Sequence, residues 1–129
     1  MYGVIDEKID ALANKTIGAA LEVHRILGPG YLESVYEEAL ARELALRQIP
    51  FECQKILAIN YKGYLIGEGR LDILVDKILV VELKAVDSLI PIHHAQVLSY
   101  LKMTGLQLGL LINFNVPSLR NGIKRIILT

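Results

Sequence analysis

The spacing of apolar side chains changes at Pro50, from a helical period before it to strand alternation after it, and this switch excludes both an all-helical and an all-strand fold. Apolar residues recur at Ile5, Ile9, Leu12, Ala13, Ile17, Ala20, Leu21 and Ile26, which predicts a first helix from Ile5 to Leu27 ended by Gly28-Pro29-Gly30. Strong helix formers from Glu33 to Gln48 predict a second helix, stopped by Pro50 and packed as a corner around the glycines.

Beyond Pro50, Phe51, Cys53, Leu57, Ile59 and Tyr61 alternate with more polar residues, and Lys62-Gly63 marks a turn. Tyr64 to Val75 and Ile78 to Lys84 follow as strands around a turn at Asp76-Lys77. Leu71, Ile73 and Val75 are expected on one side of the second strand, with Arg70 and Asp72 on the other. Ile92 to Met103 returns to helical spacing and Gly105 closes it; Leu106 to Phe114 reads as a buried strand and Lys124 to Leu128 as an edge strand. The expected architecture is a single α/β domain over residues 1–129, a mixed β-sheet with helices on it.

Apolar residues make up 53% of the chain but aromatics only 6%, so aliphatics must fill a sheet buried on much of both faces, or a dimer interface. Fourteen basic and fourteen acidic residues cancel, which removes any global basic footprint and argues against strong non-specific DNA affinity, while leaving room for a local positive groove. The single cysteine, Cys53, excludes an intrachain disulfide, fits a reducing compartment and is expected to pack in the core. Asp6, Glu7 and Asp10 lie where a leader would be apolar, and no run approaches the roughly 20 apolar residues of a membrane helix, so a cytoplasmic protein without a membrane partner is expected.

The chemistry concentrates on Asp72 and Glu82-Leu83-Lys84. Glu82 and Lys84 share one face of a strand, roughly 7 Å apart, and a turn at Asp76-Lys77 brings Asp72 opposite Glu82. Two carboxylates about 4 Å apart repel by on the order of 4 kcal/mol at an effective dielectric of 20, so a fold that gathers them usually holds a cation there. Oxygen ligands suit Mg²⁺ or Mn²⁺, and a lysine beside such a metal can hold an attacking water or neutralise charge on a phosphorane-like transition state. Phosphodiester hydrolysis is the chemistry these residues fit; a surface hairpin with an exposed ion pair worth roughly 0 to 1 kcal/mol is the bland alternative.

Glu33 and Glu37 lie one helical turn apart, and Glu33, just after the Gly28-Pro29-Gly30 break, is a candidate further metal ligand, with a solvated helix face as the alternative. Gln96 and Tyr100 share a face of the helix after the Glu-x-Lys strand, where they can position a lysine or bond a phosphate, or form a half-buried helix edge. His24, His93 and His94 have no metal-ligand spacing and read as structural or surface histidines, with a phosphate contact by His93 or His94 and an approach of His24 to the site as the alternatives. Gly67 and Gly69 alternate along their strand and would admit a helix or a ligand, without forming a dinucleotide motif.

Taken in order, these elements resemble the PD-(D/E)XK nuclease superfamily. Asp72 matches the strand acid, Glu82-Leu83-Lys84 the (D/E)-x-K element, and Gln96-Val97-Leu98-Ser99-Tyr100 the Q-x-x-x-Y helix. More narrowly, Gly30-Tyr31-Leu32-Glu33-Ser34-Val35-Tyr36, preceded by Val23-His24-Arg25, resembles the small GxxExxY proteins. The resemblance runs from about Ala20 to Phe114; Leu71 stands where the superfamily has a proline before the acid. It implies a restriction-endonuclease-like core, a central mixed β-sheet flanked by helices, and a metal-dependent nuclease acting on nucleic acid, with DNA as the expected substrate. Asp72 and Glu82 would then ligate Mg²⁺ or Mn²⁺ with the Leu83 carbonyl, Glu33 completing or orienting the site. Lys84 would position the water, and Gln96 and Tyr100 would support Lys84 or the scissile phosphate. A homodimer would give so small a domain two sites, one for each strand. The alternative is a non-catalytic nucleic-acid or protein-interaction module that keeps the nuclease fold.

Overall fold

The structure, a computed structural model, describes residues 5–128. Helix α1 spans Glu7–Leu27, opened by Asp6, whose side chain accepts from the Lys8 N–H at 2.8 Å. Glu7 and Asp10 in its first turn and Arg25 in its last complement the helix dipole. Its buried face carries Leu12, Ala13, Ala19, Ala20 and Val23, and the alanines let the helix lie close on its neighbours. Thr16 is buried too, its hydroxyl donating to the Leu12 carbonyl at 2.8 Å.

Helix α2 spans Glu33–Leu46 and buries Tyr36, Leu40 and Leu44, one per turn. It ends two residues before the expected Gln48, because Gln48 adopts φ 58 and the Ile49 N–H reaches back to the Leu44 carbonyl at 2.9 Å. That closure satisfies an orphan carbonyl with a glutamine where glycine is usual.

Strands β1 (Phe51–Tyr61), β2 (Tyr64–Val75) and β3 (Leu79–Lys84) form an antiparallel meander. Helix α3 (Pro91–Thr104) then crosses to β4 (Leu108–Asn113), which lies parallel to β3, as such a pairing requires. A short 3₁₀ turn leads to the antiparallel edge strand β5 (Ile123–Ile127), and the sheet order is β1-β2-β3-β4-β5. This is the α/β, mixed-sheet architecture expected from the sequence.

Alternation along β3 and β4 divides the core into two layers. Leu79, Val81, Leu83, Leu108, Leu110 and Ile112 pack with α1 and α2; Val80 and Leu111 pack with Val97 and Leu101 of α3. Gly109 sets how near α3 can come, since a Cβ there would lie 2.6 Å from the Val97 Cγ1.

Two expectations about side-chain placement fail. Leu71 does not share a face with Ile73 and Val75: it joins the α3 layer while they join the α1 and α2 layer, because the pleat is broken at Asp72. Cys53 is exposed, on the edge strand β1 of the sheet. Beyond Leu71, β1 and β2 continue as a two-stranded ribbon that pairs with no other strand and exposes Ile56, Tyr61, Tyr64, Leu65 and Ile66.

Candidate active site at the fork between β2 and β3

The pairing of β2 with β3 covers only Ile73↔Val81, Leu74↔Val80 and Val75↔Leu79. At the next step the strands part, and side chains take over from the ladder. The Asp72 N–H donates to Glu82 Oε1 at 3.0 Å, and the Leu83 N–H donates to Asp72 Oδ2 at 2.8 Å. Asp72 and Glu82 are thus held at the fork with one bond each to the opposite strand.

Burial and mutual repulsion shape their charge. Glu82 is 5% exposed, and this burial, followed by the Asp72 charge, pushes its pKa up to about 8. Burial also raises Asp72, against the opposing pull of the Leu83 N–H and the Lys84 ammonium. Two acids that resist ionising together form a site that a cation would complete.

Lys84 continues the same strand, and its Nζ lies 3.4 Å from Gln96 Oε1 of α3. Tyr100, one turn further, sits where the charges of Glu82 and Asp72 add to burial in raising its pKa. Its ring rests on Gly69, where a Cβ would come within 3.3 Å of the Tyr100 Cε1, so the strand glycine does admit a helix. From α2, Glu33 feels Asp72 and Lys84, and burial with the Asp72 charge raises its pKa; Glu37 is raised in the same way. The fork therefore gathers Asp72, Glu82, Lys84, Gln96 and Tyr100, with Glu33 on α2 near enough to feel the charges of Asp72 and Lys84.

Glu33 is the first residue of α2, and the loop before it is locked by Tyr36. The buried Tyr36 hydroxyl donates to the Gly28 carbonyl at 2.6 Å and accepts from the Tyr31 N–H at 3.2 Å, while its ring stacks on Phe114 at 4.6 Å. The tyrosine of the Gly30-to-Tyr36 segment is thus a structural clasp that fixes where Glu33 emerges.

Among the described residues, no three His, Cys, Asp or Glu side chains stand close enough to enclose a metal ion, so Glu33 is not placed as a ready third ligand. The donor set at the fork nevertheless fits a hard cation. It consists of two carboxylates and, because a strand residue points its N–H and C=O toward the same neighbour, the Leu83 carbonyl facing the gap left by β2. Mg²⁺ typically takes one or two carboxylates and fills its remaining positions with water and phosphate oxygens.

Two of the histidines have main-chain partners. His24 Nε2 pairs with the Val116 carbonyl at 2.8 Å, and His93 Nδ1 accepts from the Ile90 N–H at 3.1 Å to cap α3. Two residues near the site escaped the sequence reading. Buried Asn113 holds the segment after Lys84 through both main-chain groups of Val86, at 3.1 and 2.9 Å; its signal was a lone amide ending an apolar strand. Gln54 donates to Glu37 Oε1 at 2.7 Å, and nothing in the sequence around it marked it out.

No helix among the described residues is long and apolar enough to cross a membrane. No curated protein and no solved structure matches the chain. A family model described as the PD-(D/E)XK nuclease superfamily matches residues 10–126, nearly the whole length, and spans the meander, the fork and the helix that packs behind it. By that match, the chain belongs to the PD-(D/E)XK nuclease superfamily.

Proposed function

We propose that this protein is a metal-dependent nuclease that hydrolyses phosphodiester bonds in DNA, and that it is one of the small GxxExxY proteins. The observation that carries this reading is the fork, where Asp72 and Glu82 replace the strand ladder with their own carboxylates beside Lys84. Asp72, Glu82 and the Leu83 carbonyl would hold Mg²⁺ or Mn²⁺, with Glu33 orienting the set from α2. When bound, the ion polarises a phosphoryl oxygen and makes a bound water a better nucleophile.

The remaining work falls to side chains. Lys84 holds the attacking water and offsets negative charge as it grows on the phosphoryl oxygens. Gln96, 3.4 Å from the ammonium, restrains it, and Tyr100 supports the scissile phosphate from the next turn of α3. Burial of Glu82 places its carboxylate in low-dielectric surroundings, where its interactions with Asp72 are stronger than in water.

Incubation of the protein with single- and double-stranded DNA and RNA, with Mg²⁺, Mn²⁺ or a chelator, tests this. Metal-dependent cleavage lost in Lys84→Ala is the expected result; an intact panel in every metal condition overturns it. A second reading, a non-catalytic interaction module, draws support from the zero net charge and the exposed Tyr61, Tyr64, Leu65 and Ile66 of the ribbon. Binding without cleavage in the same panel would favour it.

A further inference from the structure

Five non-glycine residues have a positive φ among the described residues. Four sit where the chain turns: Gln48 at the end of α2, Lys62 in the hairpin, and Asp76 and Lys77 between β2 and β3. The fifth, Gln54 at φ 56, lies inside β1, where extended backbone is the rule. A left-handed residue of this kind persists only where its surroundings hold it, and such outliers concentrate at functional sites.

Its place is informative. The β1 to β2 register pairs Cys53 with Ile73 and Lys55 with Leu71, so Gln54 stands across from Asp72, and the pairing skips that one step. The same step is the one at which β2 leaves β3. The Gln54 amide also reaches α2, donating to Glu37 Oε1 at 2.7 Å across 17 residues of chain. One exposed glutamine thus joins an acidic residue of α2 to the strand position across from the fork acid.

We infer that Gln54 is a positioning residue: tethered by Glu37, it holds Asp72 in the orientation the metal site requires. This rests on the metal-site reading of the fork. The left-handed backbone serves that purpose, because it breaks the alternation of β1 at the one point where a side chain must serve α2 and β2 together. Partners that orient a metal-ligating carboxylate typically change metal affinity by roughly 10- to 100-fold when removed.

Calorimetric titration of Mn²⁺ into the wild-type protein, Gln54→Gly, Gln54→Glu, Glu37→Ala and the Gln54→Gly/Glu37→Ala double variant tests this, with a thermal melt of each as a control for folding. Glycine adopts the left-handed conformation freely, so Gln54→Gly should melt no lower than wild type. Its Mn²⁺ affinity should fall by roughly 10-fold or more. The double variant should bind no more weakly than the weaker single one, since both break the same tether. Gln54→Glu removes the donor and adds a like charge, so weaker binding is expected; tighter binding would make residue 54 a ligand and overturn the positioning role. Wild-type affinity in Gln54→Gly overturns it as well. Failure of the wild-type protein to bind Mn²⁺ removes the metal site itself, and with it this inference.

Discussion

The main-chain N–H of Asp72 is bonded to the side chain of Glu82 at 3.0 Å, so the two acids are joined through backbone as well as through charge. The Asp72 carboxylate in turn accepts from Leu83, the neighbour of Glu82, at 2.8 Å. Each acid stands where the ladder between β2 and β3 would have continued, and neither can shift without disturbing the other strand. Preorganisation of this kind is what a metal-binding pair needs.

Replacing Asp72 with Asn keeps an oxygen that can accept from the Leu83 N–H but removes the charge. Asp72→Asn should therefore fold, and its Mn²⁺ affinity should drop by roughly 100-fold or more, equivalent to about 3 kcal/mol. Calorimetry reads the affinity and circular dichroism the fold. Unchanged affinity would take Asp72 out of the ligand set.

The pH dependence of stability follows from Glu82. Its carboxyl has an ordinary value near 4.5 in the unfolded chain and about 8 in the fold. Between those values the folded protein keeps a proton that the unfolded chain has lost, so stability falls as pH rises through the window and levels off above it. The slope is at most about 1.4 kcal/mol per pH unit from this group, and the raised Asp72, Glu33 and Glu37 act in the same direction. Thermal melts across that range in the presence of a chelator should show the decline, and Glu82→Gln should flatten it. Mn²⁺ affinity should rise over the same window, because the metal displaces the proton.

Lys84→Ala separates binding from chemistry. Loss of the ammonium should reduce cleavage by roughly 10²- to 10³-fold, the usual scale for removing one preorganised charge-stabilising donor. Metal affinity should change little, since no carboxylate is lost. Gln96→Ala, which removes only the restraint on Lys84, should have the smaller effect in the same gel-based assay.

Tyr36→Phe tests the clasp. The ring stays stacked on Phe114, while the part-buried Gly28 carbonyl and Tyr31 N–H lose their shared partner. Destabilisation of about 1 kcal/mol is expected, read as a lower urea midpoint. Because the clasp fixes the loop that presents Glu33, Mn²⁺ affinity should weaken as well.

Much of the fold was legible in advance. The period change at Pro50, the turns at Lys62-Gly63 and Asp76-Lys77, and the closure of α3 at Gly105 are local signals, and β1 and β2 occupy the residues that the alternation assigned to them. The failures arose where an element's surroundings outweighed its pattern. Alternation placed Cys53 with the inward residues, yet on the edge strand of the sheet it stays exposed. Alternation also kept Leu71 with Ile73, yet the fork at Asp72 breaks the pleat between them.

At the site, the sequence by itself determined the chemical inventory: two acids, a lysine two residues beyond one of them, and a glutamine and tyrosine one helical turn apart. Spacing along a strand or helix fixes direction, so these types and intervals already said which side chains belong together. Only the tertiary structure decided that β2 leaves β3 at Asp72, that Glu82 is buried enough to hold its proton to about pH 8, and that Gln54 turns left-handed to meet Glu37. Those outcomes depend on contacts between residues distant in the chain, and the burial, strain and charge they create exist only once α2, α3 and the sheet have packed.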